Sequence, residues 1–164
     1  MCIRDSIADT IENNIKFGQP NASHEEVVSA AKKACCHEFI ESLPDGYATK
    51  IGEGGATLSG GEKQRISIAR AILKDAPIII FDEATANVDP ENEDKLQKAM
   101  EELMKKKTIL MIAHRLKTVQ KADQILVLDH GRIIQQGSHQ ELMAEPGLYQ
   151  DFLNVRRQDS SWKL

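Results

Sequence analysis

Leu58-Ser59-Gly60-Gly61-Glu62-Lys63-Gln64-Arg65 leads into an apolar run, Ile66 to Leu73, and the rest of the chain takes its meaning from these residues. Ser59 is a favoured helix N-cap, and Glu62, three residues on, completes the capping-box pattern. The anomaly is the glycine pair in the first turn. Each glycine costs roughly 1 kcal/mol against alanine in a helix, while a cap returns only about 1. Local stability therefore does not account for Gly60-Gly61. Bare backbone at a helix N-terminus has another use. Its free N–H groups and dipole attract an anion, and missing side chains let a phosphate come close. On the octapeptide alone, a capped helix without a ligand is the alternative.

On the N-terminal side, Ile7 to Ile15 sets isoleucines four residues apart, which predicts one face of a short helix broken by Phe17-Gly18-Gln19-Pro20. Ser23-His24-Glu25-Glu26 is a second capping box, predicting a helix through about Cys36 with Val27, Ala30, Ala31 and Ala34 on its inner side. Phe39, Ile40 and Leu43 continue an apolar stripe to the turn Pro44-Asp45-Gly46. Ile51-Gly52-Glu53-Gly54-Gly55 is too glycine-rich for an element and reads as a loop with unusual backbone angles.

On the C-terminal side, Lys74-Asp75-Ala76-Pro77 stops the helix. Ile78-Ile79-Ile80-Phe81 is apolar on both faces, as a buried parallel strand requires. Asp89-Pro90-Glu91 supplies an N-cap, a proline at the first helical position and an early acid. The helix after it closes on Lys105-Lys106-Lys107, the charge order the macrodipole favours. Thr108 to Ala113 and Gln124 to Leu128 read as further strands, and Asp129-His130-Gly131-Arg132 as a hairpin turn into Ile133-Ile134-Gln135. Ser138-His139-Gln140-Glu141 is a third capping box, ahead of a C-terminal helix.

Composition sets bounds. The chain has 164 residues, 41% of them hydrophobic, the size of one ordinary domain. A net charge of −4 and 4% aromatic residues argue against a nucleic-acid surface. Its three cysteines, Cys2, Cys35 and Cys36, form neither a disulfide framework nor a zinc spacing, which implies a reducing compartment. Cys35-Cys36 reads as half-buried on a helix. No apolar run approaches the roughly 20 residues of a membrane span, and nothing resembles a signal peptide.

Ile78 to Phe81 runs into Asp82-Glu83, placing two carboxylates at the C-terminal end of a strand, where open α/β sheets bind ligands. Adjacent carboxylates point different ways and can divide roles: Asp82 toward magnesium, Glu83 toward a water. Acids at a strand end can also be merely solvated. Thr108 to Ala113 repeats the plan and ends in His114.

With these residues in hand, the chain resembles the ATP-binding cassette (ABC) family over about Ile7 to Phe152. Leu58 to Arg65 is similar to its signature motif, and Ile78 to Glu83 to its Walker B strand with the catalytic glutamate. Ala86-Asn87-Val88-Asp89 sits where the D-loop belongs, and His114 where the switch histidine belongs. Thr49 to Gly55 resembles the exporter loop that touches the partner subunit's membrane domain, and Thr10 to Ile15 the segment before the helical subdomain. The chain contains no Gly-x-x-x-x-Gly-Lys-Ser/Thr, so the resemblance covers the C-terminal portion of a cassette. Asn87-Val88 departs mildly from the commoner D-loop residues.

The resemblance implies an α/β, partial P-loop NTPase fold lacking the P-loop strand. It divides into a helical subdomain over about 7–75 and a core part over about 76–155. Residues 1–6 match nothing in the family and read as a non-native leader, and 156–164 as a frayed tail. Two cassettes sandwich ATP in this family. By that likeness Ser59, Gly60, Gly61 and Gln64 face the nucleotide of the partner cassette, Asp82 holds Mg2+, and Glu83 orients the attacking water. His114 contacts the γ-phosphate, and Asp89 carries signals between sites. The implied partners are a second cassette, identical or not, and transmembrane domains, with no nucleic acid. The implied place is the cytoplasmic face of the cell membrane. The implied work is ATP-driven, exporter-like solute transport, with this segment inactive alone. Two rivals remain: a non-transport ABC ATPase of chromosome or translation machinery, and a stand-alone interaction module. Unpartnered strand edges are expected too, with Thr108 to Ala113 left open and Gln124 to Leu128 displaced or repacked.

Overall fold

The computed structural model describes residues 7–52, 56–82, 90–112 and 119–160. The backbone divides into two compact units, Met1–Ile112 and Ala113–Leu164.

The first unit is built around a 15-residue helix. Its elements begin with β1 (Asp9–Thr10), α1 (Ile11–Lys16), α2 (His24–Lys33), α3 (His37–Glu41), β2 (Lys50–Ile51) and α4 (Gly60–Lys74). They continue with β3 (Ile78–Asp82), α5 (Pro90–Met104) and β4 (Thr108–Ile112). Residues 65–70 of α4 are all buried, because α1, α2 and α5 pack around the helix. A helix covered on all sides normally carries only apolar residues there. This one carries two arginines, Arg65 and Arg70, and the Arg65 guanidinium lies 5.4 Å from the Phe39 ring centre. The helix ends at Asp75, whose left-handed backbone (φ 50°, ψ 38°) stops it. Lys107 closes on that residue at 2.9 Å, and the hydrogen bond holds the Asp75 carboxyl below its usual range.

Four expectations need correction. Ile7 to Ile15 is not one helix: Asp9–Thr10 is extended and pairs antiparallel with Lys50–Ile51. The helix starts only at Ile11, where the Thr10 hydroxyl accepts the Asn13 N–H at 3.1 Å. Ile11 and Ile15 are buried, while Ile7, outside the helix, is exposed. Cys35-Cys36 does not lie on a helix either. α2 ends at Lys33, Cys35 turns left-handed (φ 53°), and Cys36 caps α3 from a fully buried position.

The third correction concerns β3 and β4. They pair in parallel with no register shift, from Ile78 opposite Thr108 to Asp82 opposite Ile112. Phe81 is in the core, with Ile79, Ile109 and Met111 packed against it. On the other face Ile78, Ile80, Leu110 and Ile112 are 51–62% exposed. A sequence apolar on both faces is thus covered on one among the described residues, because the packed core lies to one side. Pro90 takes the first position of α5, as expected, but Lys105 to Lys107 lie beyond the helix rather than in its last turn.

The second unit is a hairpin followed by two helices: β5 (Ile125–Asp129), β6 (Arg132–Gly137), α6 (His139–Ala144) and α7 (Leu148–Ser160). His130 (φ 44°) and Gly131 (φ 74°) both adopt the left-handed conformation that a two-residue mirror-image turn requires. Ile125, Leu142, Tyr149 and Leu153 form its core. Among the described residues β5 is hydrogen-bonded to β6 and to no other strand. No helix is long and apolar enough to cross a membrane, again among the described residues.

Candidate functional site

The start of α4 is formed as a complete capping box. The Ser59 hydroxyl accepts the Glu62 N–H at 3.3 Å, and the Ser59 N–H donates to the Glu62 carboxylate at 2.8 Å. Ser23 with Glu26 and Ser138 with Glu141 make the same two bonds at the starts of α2 and α6. The three caps are alike, but the first helical residues differ. His24 and His139 occupy that position in α2 and α6, whereas Gly60-Gly61 opens α4.

Ser59 and Gly60 are exposed, Gly61 is buried, and Gln64 is half-buried. A Cβ placed on Gly60 would meet nothing within 4 Å. Packing among the described residues therefore gives no reason for a glycine at this position. The turn offers the N–H groups of Gly60 and Gly61, which have no carbonyl to bond within the helix. Ser59 still has its hydroxyl proton to donate, since its oxygen serves as the acceptor. The Glu62 carboxylate occupies one N-terminal donor and leaves these. A donor set of this kind, at the positive end of a 15-residue helix dipole, fits a phosphate group such as the terminal one of ATP.

Asp82 is the last residue of β3 and stands level with Ile112 of β4, so the chain leaves both strands at one edge of the sheet. That is the placement expected for residues sharing a ligand edge. The Asp82 side chain, and Glu83, Asp89 and His114 altogether, lie outside the described residues, as do Glu53 to Gly55. A surface cleft of about 360 Å³ lies elsewhere in this unit, lined by Lys33, Ile72, Asp75, Glu102, Lys105 and Lys107. Lys107 is paired with Asp75 and Lys105 with Glu102, so these two cations are already engaged.

Sequence reasoning missed a polar hub behind the site. Arg70, 3% exposed, donates from Nε to the Asn14 carbonyl at 2.6 Å and from a terminal nitrogen to Asn14 Oδ1 at 3.1 Å. The available signal was an arginine inside the apolar run Ile66 to Leu73. Also missed was Tyr47: its hydroxyl is 2.9 Å from His37 Nδ1, its ring meets His24 edge-on, and burial pushes its phenol up.

Known proteins resemble this chain in sequence and in fold. A family model described as ABC transporter matches residues 4–86, half of the chain. The ATP-dependent lipid A-core flippase of Legionella pneumophila (strain Paris) is 55% identical over 149 residues, 91% of this chain and 25% of that protein. The protein of the same name from Pseudomonas aeruginosa is 53% identical over 142 residues, covering 86% and 24%. The solved structure of a bacterial Atm1-family ABC exporter with ATP bound superposes with a TM-score of 0.78 at 46% identity, over 92% of this chain and 26% of that one. The chain thus spans about a quarter of the length of the curated relatives it matches. With a family model over half its length and an α/β fold shared with a solved exporter, the chain belongs to the ABC transporter family.

Proposed function

We propose that this chain is the later portion of the nucleotide-binding domain of an exporter-type ABC transporter, coupling ATP hydrolysis in a cassette dimer to transport across a membrane. The single observation that carries the reading is the start of α4: capped, exposed and bare of side chains at Gly60 without a packing reason. The division follows the family: a helical subdomain over about 7–75, a core part over about 76–155 and a tail over 156–164.

When bound, ATP supplies the phosphoryl group and Mg2+ offsets its charge. The chain's own residues position and neutralise, as phosphoryl transfer requires. Ser59, Gly60 and Gly61 donate to the terminal phosphate of a nucleotide held mainly by a second cassette, with Gln64 one turn behind them. Asp82 holds the metal, Glu83 orients the attacking water, His114 donates to the same phosphate, and Asp89 links the two sites. The partners are that second cassette and transmembrane domains, which puts the domain at the cytoplasmic face of a membrane. The segment alone, without a P-loop sequence, does not turn over ATP. The names of the relatives, lipid A-core flippases, support a lipid as cargo.

The test is Gly60→Asp in the full-length transporter. The open space around Gly60 accommodates the side chain, so the fold stays and the phosphate meets a carboxylate. ATP turnover falls by about 10²-fold or more, the scale of losing a positioned donor. Turnover near the unsubstituted value overturns the reading.

A further inference from the structure

Asn14 is 1% exposed and joins three elements. Its Oδ1 accepts the Ile7 N–H at 2.9 Å as well as the Arg70 guanidinium at 3.1 Å. Its Nδ2 donates to the carbonyls of Ile7 at 2.9 Å and Thr10 at 3.0 Å. Both lone pairs and both protons of one amide are thereby used, which fixes its orientation without ambiguity. Thr10 belongs to the β1–β2 ladder, and Ile11 N–H adds a bond to the Thr49 carbonyl at 2.9 Å. On the other side Arg70 grips Asn14 with two nitrogens of its planar fork, while the Phe17 ring centre lies 5.7 Å from the guanidinium carbon. The backbones meet there as well: a Cβ on Gly18 would stand 2.3 Å from the Arg70 carbonyl oxygen.

A leucine at position 70 would fill a core site at lower cost, because desolvating a charge is expensive even when it is paired. What the arginine adds is direction: two donors in a rigid plane fix both the rotation and the axial position of α4. We propose that Asn14 and Arg70 are a positioning pair. They hold the phosphate-facing start of α4, ten residues and about 15 Å up the helix, in register with the Asp9–Thr10 and Lys50–Ile51 ladder. The pair touches no nucleotide. The proposal rests on the phosphate-binding reading of the α4 start.

The test uses Arg70→Lys and Asn14→Ser in the full-length transporter, with two readouts. Hydrogen exchange of the first carbonyl-bonded amides of α4, Lys63 to Arg65, speeds up about tenfold, while the equivalent amides of α2, Val27 to Ser29, keep their rate. The KM for Mg-ATP rises by a similar factor, with a smaller change in kcat. Gly18→Ala, which displaces the Arg70 backbone and leaves the charge alone, gives the same signature if the lysine variant does not fold. Unchanged exchange at Lys63 to Arg65, or equally faster exchange in α2 and α4, overturns the pair as a positioning device. The exchange readout needs no nucleotide. If Gly60→Asp proves harmless while the exchange signature appears, the phosphate reading fails and the mechanical one stands.

Discussion

Cys36 shows what a single buried position does to its chemistry. It is 0% exposed, and burial pushes its thiol from an ordinary 9.0 up to about 12, while Cys35 beside it is half-buried. The folded state keeps the Cys36 proton where the unfolded chain releases it, so stability falls as pH rises from about 9 toward 12. The urea midpoint should therefore drop more between pH 8 and pH 10.5 in the natural sequence than in Cys36→Ala; equal drops would refute the assignment. Legibility at this scale divides by distance along the chain. Ser59-Gly60-Gly61 could be read because the glycines carry a local cost that only a ligand explains. Asn14 and Arg70 could not be paired, because 56 residues separate them and neither neighbourhood names the other.

At the scale of the element, the three serine caps form a natural control. Ser23→Ala should lower stability by about 1 kcal/mol and leave ATP turnover alone, since its cap faces no phosphate in the proposed site. Gly60→Ala should do the reverse. Its Cβ meets nothing within 4 Å, so helix propensity raises stability by up to about 1 kcal/mol, while turnover falls because the methyl group stands where phosphate approaches. Chemical denaturation and steady-state ATPase on the same preparations separate the two, and a Gly60→Ala protein that is both destabilised and inactive would contradict the argument. α4 and the capped start of α2 follow from caps and periodicity. The helix expected from Ile7 does not, because isoleucines at a spacing of four suit a helix equally well from Ile7 or from Ile11; what decides is the pairing of Asp9–Thr10 with Lys50–Ile51, a tertiary fact.

Across the whole molecule the informative feature is the uncovered face of the two-stranded sheet. Ile78, Ile80, Leu110 and Ile112 present an apolar surface, and exposed apolar strands invite association. The isolated 164-residue chain should self-associate in a light-scattering concentration series and melt broadly. Ile80→Glu with Leu110→Lys, which sets opposite charges directly across the register, should suppress the association. A sharp calorimetric transition in a soluble monomer of the natural sequence would refute this. The parallel pair and the separate hairpin were legible from apolar runs and turn residues. The exposed face was not, since a sequence records which residues suit a covering layer and not whether that layer is present. The same ladder also constrains inheritance. Every partner from Ile78–Thr108 to Asp82–Ile112 is the same number of positions away, whereas the hairpin already absorbs an irregularity between Val127 and Leu128. A lineage can gain a codon near that bulge and keep its hairpin; one gained within Ile78 to Asp82 would turn Phe81 outward and shift Asp82 from its place opposite Ile112.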